Sequence, residues 1–440
     1  AELTARKYAG VVRLEVSADM PAELQQWLAA QLGASQEDLV VTQGLLSLGD
    51  LMRLPVEGFP ELREPPHEPV THPRLCQLPA DPTAIFAEIR RGDILLHFPY
   101  HSFDSSILLF LQSAAADPKV LAIKLTIYRT SSNSPIIQAL KDAARRGKQV
   151  AVLVEITARF DEAPNIVWGR ELEQAGAHVA YGVERLKTHI KLALVVREEA
   201  EGLRRYIHVG TGNYHTGTAR LYEDLGLLTA DPDLAADAAA LFNELTGGIP
   251  SPDHGSLMVA PHNLRERFID LIHREADHAR AGRPCGIRAK MNQLQDSQVI
   301  RALYEASQAG VPMSLNVRGL CCLRAGVPGL SESIRVYSTL GRFLEHGRIY
   351  RFENGGTPEY FIGSADWMHR NLSRRMEAIA PVRDPAIQAE LDEILRVYED
   401  DNCSAWDMQP DGRYVRRRPA EGEDCRGAQQ VFIDRSHACP

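Results

Sequence analysis

Apolar and polar side chains alternate over residues 11–16, which predicts a strand with one buried face. Asp19 offers an N-cap, Pro21 suits an early helical position and Gly33 a left-handed stop, so residues 21–32 are expected to form a helix. This small α/β piece ends near Leu54, and eight prolines between positions 55 and 82 predict an extended connector. A helix near 83–90 follows. Apolar, β-branched runs at 120–128 and 150–156 predict buried strands flanking a helix over 136–146. A helix at 165–175 and strands at 178–181, 190–196 and 206–209 complete the stretch. After Pro250-Ser251-Pro252 the same order recurs: a helix at 297–309, strands at 313–317, 334–337 and 349–352, and a closing helix at 385–400. Alternating strands and helices imply an α/β fold with mixed, largely parallel sheets covered by helices. The expected division is 1–54, 55–82, 83–250, 251–412 and a polar, loosely ordered tail at 413–440.

The recurrence extends to individual residues. Ala139-Leu140-Lys141-Asp142-Ala143 through Gly147 matches Ala302-Leu303-Tyr304-Glu305-Ala306 through Gly310 at one constant offset. Further on, His189-Ile190-Lys191 precedes Gly210-Thr211-Gly212-Asn213, as His346-Gly347-Arg348 precedes Gly363-Ser364-Ala365-Asp366. A repeated half-domain is the natural reading.

The chain has 440 residues, 44% hydrophobic and 24% charged, enough for two or three domains with real cores. A formal net charge of −9 argues against general nucleic-acid binding, so any anion site must be a local concentration of Arg and Lys. No apolar run approaches the roughly 18 residues of a spanning helix, and the first residues lack signal-peptide character. A cytoplasmic protein without a membrane span is expected. The missing initiator Met suggests a processed chain or a fragment. Seven cysteines without C-x-x-C spacing argue against disulfide or zinc frameworks, and Cys321 and Cys322 read as core residues.

The repeat places bases at strand ends. Arg129, Arg159 and Arg318 follow predicted strands, and Lys191 and Arg348 come two residues after each histidine, on the same face if the strand continues. Two facing halves would bring both histidines and several cations into one cleft, a constellation suited to a phosphoryl group. A neutral imidazole can attack phosphorus and hold the group as a phosphoramidate, while a second histidine exchanges a proton or stabilises charge. One His-x-Lys alone reads as a solvated strand edge, and the glycine turn alone as a turn. His97 and His101 read as structural, His208 as a buried, hydrogen-bonded histidine, and Arg416-Arg417-Arg418 as a solvated charge run.

At these residues the chain resembles the phosphohistidine-forming polyphosphate kinases, which belong to the phospholipase D-like superfamily. The resemblance is carried by Leu95 to Tyr100, Ala122 to Arg129, Val154 to Glu162, Leu186 to Leu192, His208 to Tyr214, Thr218 to Tyr222, Phe343 to His346 and Gly363 to Met368. It implies two related phospholipase D-like catalytic domains preceded by the end of a head domain, and a family N-terminal helical domain that has no counterpart in this sequence. It implies reversible transfer of the ATP γ-phosphate to polyphosphate, with His189 as the phosphorylated nucleophile and His346 as a second histidine near the nucleotide. Lys191 and Arg348 would assist catalysis. Tyr222, Arg318 and Asn213 would bind nucleotide or phosphate, and Arg129 and Arg159 would hold phosphate oxygens that also ligate Mg²⁺. ATP/ADP and inorganic polyphosphate are the implied partners, with homo-oligomerisation where the N-terminal region is present. The rival readings are a phosphodiesterase of the same superfamily and a non-catalytic polyphosphate-binding fragment. Against the phosphodiesterase, residues 193–196 are apolar where its usual partner acid would stand.

Overall fold

The computed structural model describes residues 10–54, 58–128, 134–155, 162–183, 186–248 and 254–438. The chain divides into two compact units, residues 1–66 and 67–440. In the first unit the strands Leu14–Ser17 and Leu39–Thr42 pair in parallel, and the helix Ala22–Leu32 lies between them in the chain. Gly33 ends that helix at φ 64, where a side chain would be strained. Asp19 does not cap it: Pro21 occupies the cap position and no side chain bonds to the first turn.

The unit 67–440 contains two mixed sheets with one strand order repeated. In the first, Tyr222–Thr229, Gly202–Gly210, Leu192–Glu199, Val120–Ile127, Gln149–Val154 and His178–Tyr181 lie side by side. In the second, Arg375–Val382, Glu359–Gly363, Ile349–Phe352, Ile287–Met291, Met313–Val317 and Ile334–Thr339 take the corresponding places. The expectation of largely parallel sheets is corrected. Val120–Ile127, Gln149–Val154 and His178–Tyr181 are parallel because helices cross between them. Leu192–Glu199, Gly202–Gly210 and Tyr222–Thr229 form an antiparallel meander because their connections are too short for a crossover.

Helix starts follow the sequence closely. Ser134, Asp231, Asp296 and Asp384 each cap the helix that begins at the next residue, and three of those helices open on proline. Each half has its own apolar core, around Phe86, Phe110 and Trp168 in one and Phe268, Tyr350 and Trp367 in the other. Two further apolar clusters join the halves; one packs Leu194, Ile207 and Phe242 against Met376, Ala378 and Ala380.

The halves also exchange strands. Lys187–Thr188 pairs in parallel with Arg375 and Met376 of the second sheet, and Leu344–Glu345 pairs in parallel with Tyr222 and Glu223 of the first. Both exchanged segments stop just short of a histidine. His189 and Lys191 therefore lie in a break before Leu192–Glu199, and His346 and Arg348 in a break before Ile349–Phe352, rather than within one continuous strand each.

Residues 413–438 are ordered where a loose tail is expected. Tyr414–Arg416 pairs with Ala405–Met408, and Arg417 bonds Asp407 at 2.8 Å and the carbonyls of Glu399 and Asp401. Arg417 is thus a structural tie, while Arg416 and Arg418 are exposed. Residues 428–438 form a helix whose Ala428, Phe432 and Ser436 recur every fourth position and are buried. A Cys403–Cys425 disulfide lies just before it, correcting the expectation of idle thiols; the two cysteines stand 22 residues apart, a spacing that signals nothing by itself. Cys321 is half-buried against the second core, and Cys322 is exposed.

Close approach of backbones explains Gly363. A Cβ there would press on Ala378 O and lie 2.8 Å from Ile379 Cα, atoms of a central strand that cannot step aside. Gly363→Ala is expected to lower stability by about 1–3 kcal/mol, as overpacking does, read from the midpoint of a denaturant titration.

Candidate active site

The strand exchange sets each histidine beside the other half's carboxylate. His189 N donates to Met376 O at 2.9 Å, and His189 Nδ1 lies 2.9 Å from Glu377 Oε2. His346 N donates to Glu223 O at 3.0 Å, and His346 Nδ1 lies 2.7 Å from Asp224 Oδ1. An imidazole Nδ1–H donating to a carboxylate leaves Nε2 as the basic nitrogen.

The glycine turns hold those carboxylates. Thr211 Oγ1 donates to Asp224 Oδ1 at 2.5 Å and accepts from Leu225 N, and in the second half Ser364 Oγ accepts from Ala378 N. Asn371 Nδ2 donates to Glu377 Oε1 at 2.5 Å. A side chain at Gly212 would collide with the Asp224 carboxylate, which is why the turn carries glycine there.

Cations surround the pair. Lys191 is buried, and its ammonium donates to His189 O at 2.5 Å. Arg348 meets Asp366 through Nε and Nη2, both at 3.2 Å, and its Nη1 donates to His346 O at 2.7 Å. Asp366 also accepts Asn292 N at 2.8 Å. Arg318 donates to Asn292 Oδ1 at 2.7 Å, and Asn292 donates to His346 O at 3.2 Å. Tyr222 packs its ring 5.4 Å from the His346 ring, and Tyr128 its ring 5.5 Å from that of His189. Asn213 ends its turn as Asp366 ends the other, with a buried Oδ1 lacking a hydrogen bond among the described residues. Arg129 and Arg159 lie outside the described residues.

Electrostatics join the two histidines in one site. Burial holds the His189 imidazole well below its ordinary pKa, and Lys191, Arg375, Arg348 and His346 push the same way. Burial also lowers that of His346, with Asp224 opposing and Arg348 adding to the fall. Burial brings Lys191 down to about 7 against the pull of Glu377. Burial raises Glu377, with Lys191 and Arg375 opposing. Both imidazoles are thereby biased toward the neutral form.

The sequence reading brought His189, Lys191, His346, Arg348, Tyr222, Arg318 and Asn213 to this region, gave no role to Asp366 at the end of the second turn, and missed Glu377, Asp224 and Asn292. A signal for Glu377 and Asp224 existed: Asp224 follows Gly210 by 14 residues, and Glu377 follows Gly363 by 14. His208 is buried and bonds Tyr214 Oη at 2.7 Å, as expected. His97 bonds Glu223, and His101 accepts His97 N, both structural.

Two half-sites thus each pair an imidazole with a carboxylate of the other half, amid several cations. Residues 1–54, 84–250 and 257–429 match the families described as polyphosphate kinase middle domain, C-terminal domain 1 and C-terminal domain 2. The chain is 50% identical to a polyphosphate kinase of Thermosynechococcus vestitus, over 99% of this chain and 62% of that protein. It is 51% identical to one of Streptomyces coelicolor, over 98% of this chain and 58% of that protein. The crystal structure of polyphosphate kinase from Porphyromonas gingivalis superposes with a TM-score of 0.85 at 36% identity, covering 96% of this chain and 64% of that one. The chain belongs to the polyphosphate kinase family and spans about three-fifths of the length of these curated relatives. Among the described residues no helix is long and apolar enough to cross a membrane.

Asp224 is the group that opposes the fall of the His346 pKa. Asp224→Asn should therefore lower that pKa further while leaving His189 unmoved, as read by histidine NMR titration of the wild type and the variant side by side.

Proposed function

We propose that this chain carries the phosphotransfer centre of an ATP:polyphosphate phosphotransferase that works reversibly through phosphohistidine at His189. The observation that supports this most is the crossed pairing of His189 with Glu377 and His346 with Asp224 inside one cluster of cations.

His189 Nε2 attacks the γ-phosphorus, the bond to the bridging oxygen breaks, and ADP leaves. Glu377 at Nδ1 stabilises the imidazolium character that develops. A terminal oxygen of polyphosphate then attacks the phosphoramidate, lengthening the polymer by one unit and restoring His189. Lys191, Arg348 and Arg318 balance the charge on the peripheral oxygens, and Arg129 and Arg159 are assigned to the same task as bidentate clamps. His346, beside Tyr222 and Arg348, is assigned to the nucleotide's phosphates and to proton exchange at the leaving oxygen. Asn213 is assigned to phosphate contact.

The described donor set does not make a Mg²⁺ cage. No group of three or more His, Cys, Asp or Glu suited to a metal occurs among the described residues, and Asp224, Glu377 and Asp366 are each taken by a histidine or arginine. Mg²⁺ would come with the nucleotide's own phosphates.

Incubation with γ-labelled ATP should leave an acid-labile, base-stable label on the wild-type chain and none on His189→Ala. A label of normal yield on His189→Ala would overturn the assignment. The same labelling rate, measured at ATP well below saturation, should fall as pH rises through about 7, because Lys191 loses its proton and with it the charge that favours the incoming phosphate. In Lys191→Arg the cation persists, so the alkaline fall should vanish from the range.

A further inference from the structure

The frame is symmetric about the two histidines, but its interior is not. Beneath His346 lies a buried ionic cluster. Lys290 Nζ donates to Glu223 Oε2 at 2.5 Å and sits 2.9 Å from Glu345 Oε2; Glu223 Oε2 also accepts Gly347 N at 3.0 Å, and Glu223 Oε1 lies 2.9 Å from His97 Nε2. Tyr398 Oη donates to Glu345 Oε2 at 2.7 Å. In the first half the strand register places Thr126, Met376 and Thr188 where Lys290, Glu223 and Glu345 stand. No charge underlies His189 at these three positions.

The charged cluster is closed from outside by the helix Ala428–Ala438. Gln429 is buried, and its amide acts as a neighbouring strand would. Its Oε1 accepts Phe343 N at 3.0 Å, and its Nε2 donates to Phe343 O at 2.9 Å and to Glu345 Oε1 at 2.6 Å. Two bonds to the backbone of residue 343 fix the start of the segment that delivers His346. The bond to Glu345 fixes Lys290 and Glu223, and Glu223 in turn holds Gly347 N and is the residue next to Asp224. The helix is itself tethered by the Cys403–Cys425 disulfide and by Ala428 N donating to Asp401 Oδ2 at 2.8 Å.

We infer that Gln429, presented by the C-terminal helix, is a positioning residue for the known reaction of the family: it sets His346 and its Asp224 partner, and not His189. The inference rests on the reading of His346 as part of the transfer site. A polar brace with its donors and acceptors paired specifies one geometry, and removing the amide leaves Glu345 Oε1 and the Phe343 backbone groups unpaired.

Gln429→Met in the full chain keeps side-chain length and removes the amide. Long-range ¹⁵N NMR of histidine-labelled protein, assigned with His346→Ala and His189→Ala, should show the His346 ring signals shifted or broadened and those of His189 unchanged. Turnover should fall about tenfold or more with KM within about twofold, and Gln429→Met should add nothing further in the His346→Ala background while multiplying with Glu377→Gln. Unmoved His346 signals, equal movement of both histidines, or a full additional loss in His346→Ala each overturn the inference. Should Gln429→Met fail to fold, Gln429→Asn, which keeps the amide one methylene short, is read by the same spectra with the same criteria. A wild-type chain without transfer activity would count against the proposed function, while the spectra would still decide the positioning.

Discussion

Each imidazole at the centre of this protein is held by a carboxylate from the other half of the repeat, and the rest of the fold serves that exchange. A histidine and a carboxylate drawn out of water keep useful protonation states only when their hydrogen bond is fixed in advance. Here the fixing is done by backbone. The two residues before each histidine pair in parallel with the opposite sheet, so His189 arrives beside Glu377 and His346 beside Asp224 by register alone. Neither half contains a complete pair. The apolar contact between halves around Leu194, Phe242, Met376 and Ala380 therefore matters to the chemistry as well as to stability, because loosening it separates both pairs at once.

Within that shared frame the two half-sites have diverged. A lysine stands beside His189 and an arginine beside His346; a glutamate holds the first imidazole and an aspartate the second. The lysine is a compact charge whose pKa falls on burial, and the arginine stays charged while forking onto Asp366. The charged brace under His346 reinforces the contrast. On the proposed reading, the nucleophile gains and loses a phosphoryl group in each cycle, while its counterpart keeps one geometry throughout, and the interior of each half suits its part.

The repeat, most element positions and both histidines were legible in the sequence because each has a local signature: apolar periodicity, capping residues before prolines, and a tripeptide that recurs. Sheet direction was less legible, since a β-branched run reads alike whether its neighbour is parallel or antiparallel, and only the short connections after Glu199 and Gly210 decide it. Glu377 and Asp224 were obscured because they lie in strands that otherwise look like core, and their function comes from a partner some 120 to 190 residues away. The closing helix was hidden by the polar, glycine-containing stretch before it. Its buried face is only Ala428, Gln429, Phe432 and Ser436, too small and too polar to stand out.

On the proposed reading, a chain of net charge −9 that receives a polyanion must concentrate its positive charge, and burial limits how much a protein can hold there before a ligand comes. Lys191, Arg348, Arg318 and Arg375 act on overlapping space with carboxylates only partly compensating, and burial lowers the pKa of Lys191 to about 7 and depresses both histidines. The site is thus less charged than its composition suggests. A phosphate drawn in beside Lys191 supplies the missing counter-charge and raises the affinity of that amine for its proton, so anion entry and proton uptake are coupled at this residue. On the proposed reading, cation and imidazole then separate in role: the lysine becomes fully charged as the phosphate arrives, while Glu377 at Nδ1 keeps the His189 lone pair at Nε2, the atom assigned to meet the phosphorus.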